Sequence, residues 1–372
     1  MKNSKRINVL YTIPNFITAG SGQVLFNIAS RLDRKLYEPT ICVLKKGGTR
    51  LEKEIEARGI SLLEAPFCVS AKPYYSLPAR LLKLAQFFKN KQIDIWHSFH
   101  YTDDYTEPLI AKLSGAKAWV YTKTNMLWKS RAWFLRSLFS NAIVLINSDM
   151  KGIMFNKLLS FKKTVHIPIG IDKDIFKANR KSSDVLSQYN NQPGEIVIGN
   201  VSNLMPIKGH DTLIKAMRLL PSNMRLFIVG RSMSEAHDQY LVRTVAENKL
   251  EGRVIFLGKL DLIVEFLNAI DIFAFPTKGE GLGVVLLEAM ACERPCVASN
   301  AIGPKDIIQD GINGYLVPPE NPLALAEKIK ILAESEKLKS KLGAAARQRI
   351  LDHYTIEREV ADHERLYEEL MK

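Results

Sequence analysis

The sequence predicts an α/β protein made of two doubly wound domains that face a central cleft, and three observations lead there. The chain has 372 residues, which suits two domains of ~100–200 residues each. Short apolar, β-rich runs alternate with helical patterns along its length. Strands flanked in this way by helices form a parallel sheet covered on both faces. One polar stretch over 179–194, NRKSSDVLSQYNNQPG, has few large apolar residues and carries Pro193-Gly194. It reads as a linker, or as the surface approach to a second domain.

In the first array, strands are expected over 7–13, 39–44, 60–63, 93–97, 118–122, 142–147 and 165–167. Helices fit 23–32, 78–90 and 105–113. In the second array, strands are expected over 195–201, 225–229, 254–257, 272–275 and 296–298. Helices there fit 210–220, 235–248, 262–268, 284–291, 322–333 and 337–353. The expected domains are 1–172 and 173–354, and the last stretch, 355–372, is a charged amphipathic helix. In such sheets a ligand sits at the carboxyl ends of the strands.

Composition narrows the class. Hydrophobic residues make up 47% and charged residues 24%, as in ordinary soluble proteins. No run reaches the ~18 apolar residues needed to span a bilayer. The start, MKNSKRINVLYTIP, has an apolar run too short for a signal peptide. A cytoplasmic location is therefore expected. Cys42, Cys68, Cys292 and Cys296 stand in apolar contexts without metal spacing, so free buried thiols are expected. Net charge is +13, but residues 1–170 hold 26 Lys and Arg against 11 Asp and Glu, or +15, while 171–372 hold 26 against 28, or −2. The asymmetry points to an anionic partner for the first half, either nucleic acid or the anionic face of a membrane. Within that half, 129–139 (KSRAWFLRSLF), with Trp128 before it, is basic and aromatic at helical spacing. Such a segment suits a membrane interface, or equally a core helix with a solvated basic face.

Candidate chemistry concentrates in PTKGEGLGVVLLEAMACERPCVAS, which contains Glu280, Gly281, Leu282, Gly283 and Glu288. A strand ends near Thr277, a glycine loop follows, and a helix opens near Val284. Glycines let backbone N–H groups approach a ligand, and a helix N-terminus favours phosphate. Glu288, one turn into the helix, can accept hydrogen bonds from ribose hydroxyls, and Glu280 can do the same for a sugar. Alone, the same residues describe a strand-loop-helix junction with a capping glutamate. Upstream, Asn203-Leu204-Met205-Pro206-Ile207-Lys208-Gly209-His210 places Lys208 at another loop-to-helix mouth, where a point charge can meet a diphosphate. In the first half, Thr18-Ala19-Gly20-Ser21-Gly22-Gln23 is a small-residue loop that does not fit GxGxxG. His97 and His100 lie at the end of the strand over 93–97, with no third metal ligand in view, and His97 reads equally as a satisfied structural histidine or a functional one.

Together these segments resemble the donor site of family 4 of the retaining glycosyltransferases, two-domain enzymes of the GT-B fold. Further matches follow in order: His166-Ile167-Pro168-Ile169-Gly170-Ile171-Asp172, Ile302-Gly303-Pro304-Lys305-Asp306-Ile307-Ile308, and Gly311-Ile312-Asn313-Gly314-Tyr315-Leu316-Val317-Pro318. The match is strongest over 165–320. The resemblance implies that Glu280 faces the donor sugar, Glu288 holds the ribose and Lys208 contacts the diphosphate. It also implies that Gly20 and Gly22 face the donor phosphates, that the His97–His100 region lines the acceptor pocket, and that the terminal helix crosses back to the first domain. Four positions depart from the family pattern. Ile169 stands where Asn is usual, Asp306 where Glu is common, Asn203 where an Arg is common, and Lys123 where many members carry a histidine. Lys123, with Thr122 or Asn125, is thus a candidate catalytic position, and for the charge missing at Asn203 either Lys208 carries more of the work or Arg231 helps.

The implied reaction moves a sugar, with UDP as the expected carrier, to the hydroxyl of a glycan or lipid-linked saccharide, with domain closure over the donor. Neither a cofactor nor a metal is expected, no Asp-x-Asp triplet occurs, and the first half offers no carboxylate pair for a glycosidase-type double displacement. Weak contact with an anionic membrane through the basic half is expected. The rival readings are a sugar-nucleotide epimerase or phosphorylase, a nucleic-acid-binding protein, and a nicotinamide oxidoreductase. No nucleic-acid motif is present, and the glycine fingerprint of an oxidoreductase is missing.

Overall fold

The computed structural model describes residues 6–16, 19–126, 130–155, 159–179, 184–189 and 194–372. They form two compact units, Met1–Gly170 with Ile356–Lys372, and Ile171–Thr355. Thr18, Trp128, Lys129 and parts of the expected linker (180–183 and 190–193) lie outside the described residues.

The first unit is built on a seven-stranded sheet of β1 (Ile7–Ile13), β2 (Tyr37–Val43), β3 (Ser61–Glu64), β4 (Ile95–Ser98), β5 (Ala118–Lys123), β6 (Ala142–Leu145) and β7 (Thr164–His166). All are parallel, in the order β3-β2-β1-β4-β5-β6-β7. Continuous apolar runs suit strands covered on both faces, and Tyr11, Ile41, Ile95, Val120 and Val144 are fully buried. The order reverses between β1 and β4.

The terminal helix Ile356–Met371 belongs to this unit and packs on the helix Ala19–Ala29. It buries Ile356, Val360, Leu366 and Tyr367. The Glu359 carboxylate accepts a hydrogen bond from the Gly170 amide at 2.9 Å. Helix Ala19–Ala29 starts four residues before the expected 23. Gly20 and Gly22 therefore sit in its first turns and not in a loop. A Cβ on Gly22 would lie 2.8 Å from the Phe16 ring, so packing alone requires that glycine, whereas Gly20 opens onto free space.

The second unit carries a six-stranded parallel sheet of β8 (Ile196–Val201), β9 (Met224–Val229), β10 (Val254–Gly258), β11 (Ile272–Phe275), β12 (Cys296–Ser299) and β13 (Tyr315–Val317). The order is β10-β9-β8-β11-β12-β13, reversing between β8 and β11. Its core joins Ile198, Leu226, Ile228, Ile272 and Val297 to Leu213, Met217, Leu325 and Ile329 from the covering helices. The linker reading of 179–194 is corrected. Residues Asp184–Tyr189 form a 3-10 helix of the second unit, with Leu186 buried and Tyr189 edge-on to Phe227 at 5.5 Å. The chain passes between units at Gly170–Ile171 and again at Thr355–Ile356.

Candidate active site

In a doubly wound sheet, a crevice opens at the carboxyl ends of the strands where the order reverses. In the second unit those strands are β8 and β11. After β8 the chain runs through Asn203 to the 3-10 turn Pro206–Lys208 and then the helix His210–Met217. After β11 it runs through Glu280 to Gly283 and the helix Val284–Ala291.

Backbone contacts lock the two loops together. The Lys278 amide donates to the Ile207 carbonyl at 2.8 Å, and the Thr277 hydroxyl donates to the same oxygen at 3.1 Å. Between them Gly209 holds φ at +71°, and a Cβ there would lie 2.1 Å from the Pro276 carbonyl oxygen. Left-handed backbone costs about 1–2 kcal/mol outside glycine, and overpacking adds roughly 1–3. Gly209→Ala should therefore lower thermal stability by about 2–5 kcal/mol. An unchanged melting curve would show that the loops do not depend on this contact.

This lock brings two sequence candidates together. The Lys208 ammonium forms an ion pair with the Glu280 carboxylate, with side-chain exposures of 20% and 14%. The Glu280 amide donates to the Ile302 carbonyl at 3.0 Å, which fixes the loop from its other side. Gly283 has φ +99° and caps the helix Val284–Ala291. A Cβ there would press on the Phe275 ring at 3.1 Å. Leu282 is buried, so its side chain is not open to a ligand, while Gly281 is half-buried.

Glu288 lies one turn into this helix. Part of it reaches the surface, but among the described residues its carboxylate has no hydrogen-bond or ion-pair partner. Desolvation pushes its pKa up to about 8. A carboxyl group in such a place gains most from a ligand that donates hydrogen bonds to it. Asn203 and Arg231 are exposed beside the same loops, joined by the Leu204 amide donating to the Arg231 carbonyl at 2.9 Å. Sequence reasoning missed His210, which is buried with Nε2 2.9 Å from the Ser202 hydroxyl and Nδ1 unpartnered. Burial, then the charges of His237 and Lys208, lowers its pKa to about 4.

In the first unit, the candidates at the end of β4 separate. His97 is fully buried. Its Nδ1 meets the Tyr367 hydroxyl at 2.6 Å and its Nε2 meets the Thr122 hydroxyl at 2.8 Å. Burial, then His363, holds it neutral. The expectation that His97 lines a pocket is corrected: with both ring nitrogens occupied, it fastens the terminal helix to the sheet.

His100 does line a pocket of about 250 Å³, counting space open to solvent, together with Thr102, Lys123, Asn125 and Trp133. Lys123 ends β5, is 4% exposed, and donates to Asn125 Oδ1 at 2.7 Å. Burial, then the charge of Arg136, lowers its pKa to about 8.

Behind this pocket lies a network that the sequence did not reveal. The Glu107 carboxylate, fully buried, pairs with Arg136 at 3.0 Å. It also accepts hydrogen bonds from Trp96 at 3.1 Å and Ser98 at 2.8 Å, and from Thr12. Burial alone would raise its pKa, but Arg136, His100 and Thr12 together hold it at about 2. Arg136 is 1% exposed, donates to the Asp104 carbonyl at 2.8 Å, and stacks over Trp119 and Tyr121. Trp133 packs on Phe155. Two residues of the basic-aromatic segment expected at a membrane thus point inward, because Glu107 and an aromatic cage claim them.

All four cysteines are free, and burial pushes the thiols of Cys42, Cys68 and Cys292 up to about 12. No cluster of metal-ligating side chains occurs among the described residues.

Comparison with known proteins identifies relatives of the chain and of its fold. Residues 183–349 match the family model "Glycosyl transferases group 1", and residues 18–175 match "Glycosyltransferase Family 4". An N-acetyl-alpha-D-glucosaminyl L-malate synthase of Bacillus anthracis is 27% identical over 204 residues, 54% of this chain and 52% of that protein. The capsular polysaccharide biosynthesis glycosyltransferase CapM of Staphylococcus aureus is 29% identical over 182 residues, 47% of each chain. The chain thus spans about half the length of these curated relatives. Anabaena Alr3699/HepE, solved in complex with UDP and glucose, superposes with a TM-score of 0.84 at 20% identity, over 98% of this chain and 100% of that one.

Proposed function

Because the chain belongs to the group 1 glycosyltransferases and has their GT-B fold, we propose that it transfers a hexosyl or N-acetylhexosaminyl group from a UDP-sugar to an acceptor hydroxyl, with retention of configuration. The acceptor in this reading is a glycan or lipid-linked saccharide of cell-surface polysaccharide synthesis. The observation that carries it is the unpartnered Glu288 carboxylate at the reversal point of the second sheet, one loop from the Lys208–Glu280 pair. The relative named as an N-acetyl-alpha-D-glucosaminyl L-malate synthase supports the sugar class, and the one named for capsular polysaccharide biosynthesis supports the acceptor class.

Each residue then has a task. Glu288 accepts the ribose hydroxyls. Lys208 leaves Glu280 to stabilise the diphosphate as its charge grows, and Glu280 turns to the sugar hydroxyls. N–H groups around Gly281 and Gly283, at the start of the helix, add positive potential for phosphate. The bond from the anomeric carbon to the diphosphate breaks while the bond to the acceptor oxygen forms on the same face. The acceptor's proton passes to the departing phosphate oxygen, so no protein nucleophile is required. On the acceptor side, Lys123 and His100 hold the acceptor in their pocket, and positioning supplies the rest of the rate.

A panel of UDP-, GDP- and ADP-sugars tests this by thermal shift. One UDP-sugar should raise the melting temperature by several degrees, since ligands that bind only the native state stabilise it. With a saccharide acceptor, the same donor should release UDP and yield an α-linked product. If no nucleotide sugar stabilises the protein, the reading fails.

A further inference from the structure

The pocket at the ends of β4 and β5 has a lining that selects one kind of ligand group. Among the described residues no carboxylate lines it, while Lys123, Arg136 and Trp133 do. These three side chains donate hydrogen bonds and accept none. Lys123 donates to Asn125 Oδ1 at 2.7 Å, so the other end of that amide is a donor as well. Trp133 is 5% exposed, and its indole N–H makes no hydrogen bond. The Tyr121 hydroxyl lies close to it but pairs with the Ser137 hydroxyl at 2.7 Å. A buried donor left in this way gains from a ligand that accepts from it.

Charge points the same way. Glu107 pairs with Arg136 at 3.0 Å and offsets it, so Lys123 supplies the net positive charge of this wall. The carboxylates of the adjoining loop serve other partners. Asp104 accepts from the Thr106 and Glu107 amides at 2.9 Å, and Asp103 accepts from the Ser130 hydroxyl. Lys123 is 4% exposed, and Asn125 is a neutral acceptor. An ammonium held out of water gains most from a ligand that brings a negative charge. Burial, then Arg136, lowers its pKa to about 8, so it keeps its proton at pH 7. Size adds a limit. The pocket holds about 250 Å³, counting space open to solvent, below the ~300–1,000 Å³ of sites that enclose a whole small ligand. It takes one group of a larger molecule.

A group that accepts hydrogen bonds, donates none and carries negative charge is an oxyanion. A sugar hydroxyl, which also has a proton to place, suits a wall of donors less well. We propose that this pocket takes one oxyanion of the acceptor, a carboxylate or a phosphate, with Lys123 as its counter-charge and Trp133 as a further donor. The acceptor is then an acidic saccharide rather than its neutral analogue. Calling the occupant the acceptor rests on the transfer reading above, whereas the anion site stands on the lining alone.

Calorimetric titration of methyl glucoside, its uronic acid and its 6-phosphate, each with and without UDP, tests this. Wild type should bind at least one of the two acids about 10–100-fold more tightly than the neutral sugar, the range of hydrogen bonds to a charged group. Tighter binding of the uronic acid identifies a carboxylate and tighter binding of the phosphate ester a phosphate, and either supports the site. Lys123→Met should abolish the preference. Trp133→Phe should weaken binding of the acid severalfold and leave the neutral sugar unchanged. Lys123→Gln, which still donates to Asn125, repeats the comparison should melting curves show that Lys123→Met does not fold. Equal affinity of wild type for the three sugars, binding of none of them, or a preference that survives in Lys123→Met would overturn the assignment. UDP titrated alone reads the donor half separately. UDP binding without a preference for acids would overturn this inference and spare the donor site, and a preference for acids without UDP binding would do the reverse.

Discussion

Lys208→Ala should leave a folded protein whose turnover falls about 10²–10³-fold, with donor affinity changed far less. Lys208 stands on a short 3-10 turn held by Gly209 and the Ile207 carbonyl, and its ammonium reaches the Glu280 carboxylate. Removing it leaves Glu280 partly exposed to water, which limits the cost in stability. In the proposed reaction the cost in rate is large because the leaving diphosphate gains its charge during bond cleavage, and a cation in place at that moment lowers the barrier without reorganising. Lys208→Arg keeps the charge but spreads it over a planar fork, so it should recover only part of the rate. Steady-state kinetics of the three proteins check this. Equal losses in kcat and kcat/KM would place the interaction in the transition state, and a change in KM alone would place it in ground-state binding.

Arg136→Met should destabilise the protein by about 3–5 kcal/mol, the cost of leaving a buried charge unpaired. The charge in question is Glu107, whose pKa is held at about 2 by Arg136, His100 and Thr12 against the pull of burial. Adding Glu107→Gln should recover most of the loss, because the amide still accepts from Trp96 and carries no charge. The pH dependence has a definite sign. A carboxyl group whose folded pKa lies below its unfolded value of 4.5 contributes stability above that value and loses it as pH falls towards 2. Wild-type stability should thus decline below about pH 4.5, and the double variant should decline less steeply. Denaturant melts from pH 3 to 7 read both effects. Equal stabilities of the single and double variants would show that the pair is uncoupled.

These two cases differ in how far the sequence announced them. Lys208, Glu280 and Glu288 were legible because loops at adjacent strand ends come together once the strand order is parallel. The glycines around them mark the positive-φ backbone at Gly209 and Gly283. The Glu107–Arg136 pair was not legible. Its members lie 29 residues apart on separate helices, and each looks like an ordinary surface charge until packing places them together. His97 stood open between a structural and a functional reading, because a strand end alone does not reveal that Tyr367, from the far end of the chain, takes up one ring nitrogen. Gly22 looked like part of a ligand loop because a glycine required by the Phe16 ring carries the same letter as one required by a phosphate. The strand Tyr315–Val317 was missed because Gly314 and Pro318 bracket it, so the stretch carries the marks of a turn.

The proposed function turns most directly on Glu288. With its pKa raised to about 8, it is mostly protonated at neutral pH in the free protein, while a ribose hydroxyl pair binds best to the ionised form. Its ionisation also costs native stability as pH rises from 4.5 through about 8, so Glu288→Gln should melt higher than wild type at pH 8.5. The decisive measurement is calorimetric titration of UDP into both proteins at pH 6.5 and 8.5. Wild-type affinity should rise roughly 20-fold between these values as the binding-competent carboxylate becomes populated, with a proton released on binding at the lower pH. Glu288→Gln should bind weakly at both, showing only the slope of the nucleotide's own phosphate. Wild-type binding with no more pH dependence than the variant's, at the same affinity, would contradict the assignment of this site to the donor.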